Sequence, residues 1–119
     1  MRYLEIDTAT RISKIGLGTW QFGAREWGYG ESYAGSVSSD IVRRAVDLGV
    51  TLFDTAEVYG LGRSERILGQ ALGERRGSVF LATKLFPVLP LAPVVEQRAV
   101  ASASRLGTRL LDLDRKSVV

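Results

Sequence analysis

Residues 48–54 read LGVTLFD, and residues 106–112 read LGTRLLD. In both stretches a Leu-Gly pair comes first, a short strand-like run follows and an aspartate closes it. The glycine suits the end of a helix, because it adopts a left-handed backbone without strain. A helix, a glycine stop, a short apolar strand and a polar residue form the repeating unit of a parallel sheet with helical crossovers. The interval between the two stretches has room for about two such units.

Short apolar runs bounded by turn residues predict the other strands of this sheet. The expected strands, in chain order, are a hairpin of residues 3–6 and 12–15, a glycine-interrupted strand end at 16–20, strands closing at Asp54 and Lys84, and one beginning at Leu110. Residues 21–37 predict a long loop, and loops of that length are usually functional or mobile.

Apolar residues at helical spacing predict three helices between these strands. The expected helices begin at Asp40 after a Ser39 cap, at Ser64 and at Pro93, and they stop at Gly49, Gly73 and Gly107. The order is therefore a hairpin followed by about three and a half βα units. A closed barrel of eight such units needs about 250 residues. The chain thus predicts a fragment of such a barrel, half of a dimeric assembly, or a smaller open sheet.

The composition excludes several classes of function. The chain has 119 residues, 45% of them apolar, and a formal net charge of +3, which suits one small domain with a core. No block of like charges points to nucleic acid, and no stretch is long and apolar enough to span a membrane. The sequence contains neither Cys nor His, which excludes thiolate chemistry and removes the commonest general base and metal ligand. We expect no metal site and, without an apolar leader segment, a cytoplasmic location.

Three polar residues are expected at one edge of the predicted sheet. Asp54 and Lys84 end neighbouring strands, which lie about 4.8 Å apart in a sheet, and Tyr59 lies on the loop just beyond Asp54. A free phenol has a pKa of about 10, and a neighbouring ammonium lowers it by favouring the phenolate. With Asp54 orienting Lys84, the phenol of Tyr59 becomes able to donate a proton to a developing alkoxide. The alternative is a structural ion pair, which forms the same cluster without any chemistry.

Several segments resemble the aldo-keto reductase family, over about residues 3–113. The matching segments are GLGTW at 16–20, LFDTAEVYG at 52–60, GRSERILG at 62–69, LATK at 81–84, SRLGT at 104–108 and LDL at 111–113. The resemblance implies an α/β fold, a partial (β/α)8 TIM barrel, with its family-like part at residues 1–113. Residues 114–119 form a tail that does not match the family.

The resemblance also implies an activity, because the family uses NADPH, less often NADH, to reduce aldehydes and ketones to alcohols. It implies that Tyr59 is the general acid, that Lys84 activates the phenol and that Asp54 pairs with Lys84. The implied cofactor contacts are Gly18, Thr19, Trp20 and Asp54. The implied substrate contacts are Trp20, Trp27 and Tyr29. For Trp27 and Tyr29, packing within the long loop is the alternative.

One departure from the family concerns the end of the fourth strand, where the family has a histidine a few positions after Leu113. Residues 114–119 read DRKSVV instead, which suggests a truncated or frame-disrupted N-terminal portion with little or no activity alone. Open sheet edges would favour self-association. Two alternatives to a reductase fragment stay open: a non-catalytic regulatory or assembly subunit, and a half-barrel that is completed by dimerisation.

Overall fold

The computed structural model of the chain describes residues 1–23, 33–86, 89 and 91–116. Its first element is a short antiparallel hairpin. Strand β1 (Tyr3–Glu5) pairs with β2 (Arg11–Ser13), as the sequence predicts. The Asp7 carboxylate closes the turn by accepting the backbone N–H groups of Ala9 and Thr10 at 2.8 and 2.7 Å. These hydrogen bonds stabilise the ionised form and lower the pKa of Asp7.

A parallel four-stranded sheet follows the hairpin. Its strands are β3 (Gly16–Gly18), β4 (Leu52–Asp54), β5 (Phe80–Leu85) and β6 (Leu113–Lys116), which lie side by side in chain order. Every neighbouring pair is parallel. All four carboxyl ends therefore lie at one edge of the sheet, where parallel α/β folds bind their ligands.

Three helices connect these strands. They are α1 (Ser38–Asp47), α2 (Arg63–Leu72) and α3 (Ala92–Arg105). The predicted Ser39 cap is wrong: a π-helical turn over Tyr33–Val37 leads directly into α1, and the Ser39 hydroxyl donates to the Gly35 carbonyl at 2.8 Å from within the helix. None of the described helices is both long and apolar enough to cross a lipid bilayer.

The hydrophobic core lies between the sheet and the helices. Its buried side chains include Phe22, Val42, Phe53, Leu68, Leu72, Leu81 and Leu106. Phe53 and Leu81 are partners in the β4–β5 register and are both fully buried. Because side chains alternate along a strand, the next residue, Asp54, faces away from this core, and so does Lys84 three positions after Leu81. The core thus directs both charged groups to the opposite face of the sheet.

Two glycines permit close packing around the sheet. Gly49 has a φ of +87° after the end of α1, and a Cβ there would lie 2.7 Å from the Tyr3 hydroxyl oxygen. Gly69 lets α2 approach the end of α3, since a Cβ at this position would lie 2.5 Å from the Leu106 carbonyl oxygen. The hairpin packs at the amino end of β4, where the Tyr3 hydroxyl donates to the Gly49 carbonyl at 3.0 Å. The carboxyl edge of the sheet is at the other end.

The last strand begins later than the sequence predicts. Leu110 precedes β6 rather than starting it, because the Asp112 carboxylate takes a place in the ladder. Its Oδ2 atom accepts the Leu81 N–H at 2.8 Å and an Arg76 N–H at 2.7 Å. Strand pairing then starts after Asp112 and continues through residues 114–116, whereas the apolar pattern predicted a break at Asp114.

Candidate active site

Lys84 and Asp54 form an ion pair at the carboxyl edge of the sheet. The Lys84 ammonium donates to Asp54 Oδ2 at 2.6 Å and to the Thr55 carbonyl at 2.9 Å. The two side chains are 14% and 34% exposed, so both are partly shielded from water yet open to a ligand. A charge-assisted pair with a second acceptor fixes the position of the ammonium.

Tyr59 lies beside this ion pair. It follows β4 in a short turn, which its backbone N–H closes by donating to the Ala56 carbonyl at 3.2 Å. Lys84 Nζ is 5.2 Å from the centre of the half-buried Tyr59 ring. Among the described residues, none forms a hydrogen bond with the Tyr59 hydroxyl. The structure thus brings Asp54, Tyr59 and Lys84 together at one edge of the sheet.

The end of β3 forms the neighbouring wall of the site. A Cβ at Gly18 would meet no atom of the described residues within 4 Å. The Trp20 side chain is 53% exposed. Thr19 differs from the expectation for a cofactor contact, because its side chain is fully buried and its N–H donates to the Asp54 carbonyl at 3.0 Å. Trp27 and Tyr29, which the sequence assigned to the substrate pocket, lie outside the described residues.

A buried cluster of hydroxyl groups supports the base of the site. Ser64, near the start of α2, lies 2.7 Å from the Thr19 hydroxyl and 3.1 Å from the Thr55 hydroxyl, and it donates to the Thr19 carbonyl at 2.7 Å. All three side chains are fully buried. The cluster joins the ends of β3 and β4 to α2, and the Thr19 hydroxyl also lies 3.1 Å from the Asp54 carbonyl oxygen.

A buried carboxylate lies behind β5, on the helix side of the sheet. Glu65 is fully buried and accepts hydrogen bonds from the Thr83 hydroxyl at 2.7 Å and from Arg105 Nε at 2.5 Å. A buried charge needs this kind of pairing. Glu65 therefore ties α2 and α3 to the residue that precedes Lys84.

A second paired carboxylate lies between the ends of β4 and β5. Glu57 accepts the Phe86 N–H at 2.5 Å, and Arg98 of α3 donates to both oxygens of its carboxylate. Asp114 lies near this group: partial burial raises its pKa, and the negative charges of Glu57 and Glu65 raise it further. Within the described chain, no three acidic side chains converge in a way that would hold a metal ion.

The sequence identified the phenol, the ammonium and the carboxylate, but not the groups that hold them. Glu57 and Glu65 appeared only inside the segments that resemble the family, and Ser64 was otherwise predicted only as the start of a helix. Each acts through a partner at least nine positions away, such as Thr55 for Ser64 and Arg98 for Glu57. No periodic signal marks pairs of that kind.

The fold and the site together define a class of protein. A parallel sheet with crossover helices on one face and an ionic cluster at its carboxyl edge is part of a (β/α)8 barrel with its site at the usual end. The sequence profile of the Aldo/keto reductase family matches residues 14–113, and the chain belongs to that family. The predicted membership is confirmed.

Individual relatives agree with this assignment. An uncharacterised oxidoreductase of Mycobacterium bovis is 61% identical over 113 residues, which are 95% of this chain and 35% of the relative. A thermostable aldo-keto reductase solved with the inhibitor epalrestat matches at a TM-score of 0.82 and 30% identity, covering 96% of this chain and 42% of that chain. An aldo/keto reductase of Klebsiella pneumoniae, solved with NADP and acetate, matches at a TM-score of 0.71 and 30% identity, covering 87% and 35%.

These matches also show how much of a family member is present. The chain spans 35–37% of the length of the curated relatives that it matches. The four parallel strands of the described residues are half of the eight in a complete barrel. The predicted fold class, a partial (β/α)8 barrel, is thereby confirmed.

Proposed function

We propose that this chain carries the proton-donating part of an NADP-dependent reductase site that converts aldehydes or ketones to alcohols. Tyr59 is the general acid, Lys84 activates its phenol, and Asp54 holds Lys84 in place. The observation that supports this most strongly is the position of Lys84 Nζ, 2.6 Å from Asp54 Oδ2 and 5.2 Å from the centre of the Tyr59 ring.

The proposed proton transfer follows from the charges around the phenol. A carbonyl oxygen that gains electrons becomes an alkoxide and needs a proton, which the Tyr59 hydroxyl supplies. The phenol then carries negative charge, and the Lys84 ammonium stabilises that charge at short range. Asp54 and the Thr55 carbonyl keep the ammonium fixed, so little reorganisation is needed when the proton moves.

The residues at the end of β3 fit a flat nicotinamide ring. None of the described residues fills the space beside Gly18, and the half-exposed Trp20 follows two positions later. When bound, NADPH supplies the hydride that reduces the carbonyl carbon. Gly18 and Trp20 would hold its ring beside Asp54, whereas the buried Thr19 side chain orders the Asp54 backbone instead. The NADP in the Klebsiella pneumoniae structure supports the choice of cofactor.

Oxidation of NADPH in the presence of a simple aldehyde tests this proposal. We expect the chain alone to show little or no turnover. Its four described strands are half of a barrel, and the sequence lacks the histidine that the family has in this site. Turnover that Tyr59→Phe leaves unchanged would contradict the assigned general acid.

A chimera tests the same residues within a full-length barrel. Residues 14–113 replace the aligned segment of the Mycobacterium bovis relative, whose own turnover serves as the reference. We expect Tyr59→Phe to lower the turnover of the chimera by about 100-fold or more, the usual contribution of a general acid. A loss of less than about threefold would contradict the proposal.

The absence of histidine favours a second candidate function, a non-catalytic regulatory or assembly subunit. Such a subunit would form a stoichiometric complex with a defined partner, whereas a reductase fragment would not. Whichever of the two functions holds, we expect the chain to self-associate, since β3 and β6 are the edges of the described sheet and open edges pair with other chains. Size-exclusion chromatography with light scattering tests this: a monodisperse monomer that melts cooperatively would contradict it.

A further inference from the structure

Glu57 contacts the end of β5 with both its backbone and its side chain. Its N–H donates to the Lys84 carbonyl at 3.1 Å, and its Oε1 atom accepts the Phe86 N–H at 2.5 Å. These two groups flank Leu85, the residue directly after Lys84. Glu57 therefore fixes the backbone directly after the residue that carries the ammonium.

Arg98 closes this arrangement from α3. Its Nε donates to Glu57 Oε2 at 3.2 Å, its Nη2 donates to Oε1, and its Nη1 donates to the Phe86 carbonyl at 2.5 Å. The Glu57 side chain is 11% exposed and that of Arg98 is 27% exposed, so water competes little for these hydrogen bonds. The guanidinium is suited to this role, because its planar fork donates in several fixed directions at once. We call Glu57, Arg98 and the Phe86 backbone the carboxylate clamp.

The carboxylate clamp lies next to the turn that carries the phenol. Tyr59 is two residues after Glu57, and its N–H donates to the carbonyl of Ala56, the residue before Glu57. Residues 56–59 are therefore one turn, and the clamp anchors that turn to β5. The Tyr59 ring and Lys84 Nζ, 5.2 Å apart, are carried by the two segments that this contact joins.

We propose that Glu57, clamped by Arg98, is a positioning residue that sets the phenol of Tyr59 against the ammonium of Lys84. Glu57 is not a catalytic residue, since its carboxylate is occupied by Arg98 and the Phe86 N–H. That the position of the Tyr59 phenol matters for catalysis rests on the proposed function. A displacement of about 1 Å between reacting groups is enough to lower a rate strongly.

Nuclear magnetic resonance of the full chain tests the proposal without cofactor or substrate. The sequence has three lysines, Lys14, Lys84 and Lys116, so selective ¹³C-lysine labelling gives three assignable ε-methylene signals. The Tyr59 ring shifts the Lys84 signal through its ring current, and the difference between wild type and Tyr59→Leu measures that shift. We expect Glu57→Ala to lose more than half of it.

A second variant and a matched control keep the test decisive. Arg98→Lys retains a positive charge but cannot serve both Glu57 and the Phe86 carbonyl, so we expect it to lose at least a quarter of the shift. Asp47→Ala breaks the half-exposed Arg75–Asp47 ion pair of 2.7 Å, away from the site, and should leave the shift unchanged. If Glu57→Ala does not fold, Arg98→Lys alone tests the proposal, and a loss of less than a quarter of the ring-current shift would contradict it.

Two results would overturn the inference: an unchanged Lys84 shift in the folded variants, or an equal loss in Asp47→Ala, which would indicate general loosening. Failure of the proposed function is a separate result. Tyr59→Phe without effect on turnover would remove the catalytic role of the phenol, whereas the ring-current measurement would still report whether Glu57 sets its position.

Discussion

Lys84 follows Asp54 by 30 positions in the sequence, and its ammonium donates a 2.6 Å hydrogen bond to the Asp54 carboxylate. The two residues lie on neighbouring parallel strands, where Asp54 is the register partner of Ala82, two positions before Lys84. Alternation along β5 places Ala82 and Lys84 on the same face. Register and alternation together are therefore sufficient to bring these charges into contact.

Lys84→Met should destabilise the chain by about 1–2 kcal/mol, because it leaves the partly buried Asp54 carboxylate without its ammonium. Urea unfolding followed by circular dichroism measures the effect. The control is Lys14→Met, at an exposed position, which should change stability by less than about 0.5 kcal/mol. Equal stability of the two variants would show that the ion pair does not hold β4 and β5 together.

Ser64→Ala should cost about 1–3 kcal/mol, because the Thr19 and Thr55 hydroxyls and the Thr19 carbonyl each lose a buried partner. The matched control is Ser78→Ala, which removes an exposed hydroxyl that donates to the Arg75 carbonyl at 2.7 Å. Denaturant unfolding of the two variants compares them directly. If Ser64→Ala were as mild as Ser78→Ala, the buried hydroxyl cluster would have no structural role.

Arg105→Met should be among the most destabilising single changes, at about 3 kcal/mol, since it leaves the fully buried Glu65 carboxylate without a cation. Arg75→Met is the control, because it removes an ion pair of which both members are about half exposed, and such pairs contribute about 1 kcal/mol or less. Thermal melting of both variants gives the comparison. A native-like melting temperature for Arg105→Met would contradict the pairing of Glu65.

Asp114→Asn should stabilise the chain at neutral pH and not in acid. Burial and the charges of Glu57 and Glu65 raise the pKa of Asp114 above its usual 3.8, so the folded state binds this proton more tightly than the unfolded state does. The contribution of Asp114 to stability is therefore fully present below pH 3.8 and is lost as the pH rises through the raised pKa.

Urea unfolding of wild type and Asp114→Asn between pH 3 and pH 7 measures this difference. The two curves should meet at the acid end and separate toward neutrality, with the asparagine variant more stable. A constant difference at all pH values would mean that the carboxylate does not titrate differently in the folded state.

The sequence was sufficient to predict the main elements of the fold, because their signals are local. The LFD run ending at Asp54, the run ending near Lys84 and the helix that stops at Gly73 are all found close to their predicted places. Two boundaries were wrong for identifiable reasons. Ser39 bonds backward within a longer helical segment, and the Asp112 side chain delays the start of β6.

The supporting contacts of the site could not be predicted in the same way. Glu57 and Arg98 are 41 positions apart, and Glu65 and Arg105 are 40 apart. Single charged residues in helices and turns are usually solvated, and neither pair is marked by periodicity. Only the folded chain shows that their carboxylates are shielded from water and paired.

The central claim is that the phenol of Tyr59 and the ammonium of Lys84 meet at one edge of the sheet. A ¹³C-edited NOESY spectrum of the full chain measures this most directly, by contacts between the Tyr59 ring protons and the Lys84 ε-methylene protons. We predict such a contact, and its loss in Tyr59→Leu. No Tyr59–Lys84 contact, in a spectrum that shows the neighbouring Phe53 and Leu81 side chains in contact as their register requires, would contradict the account.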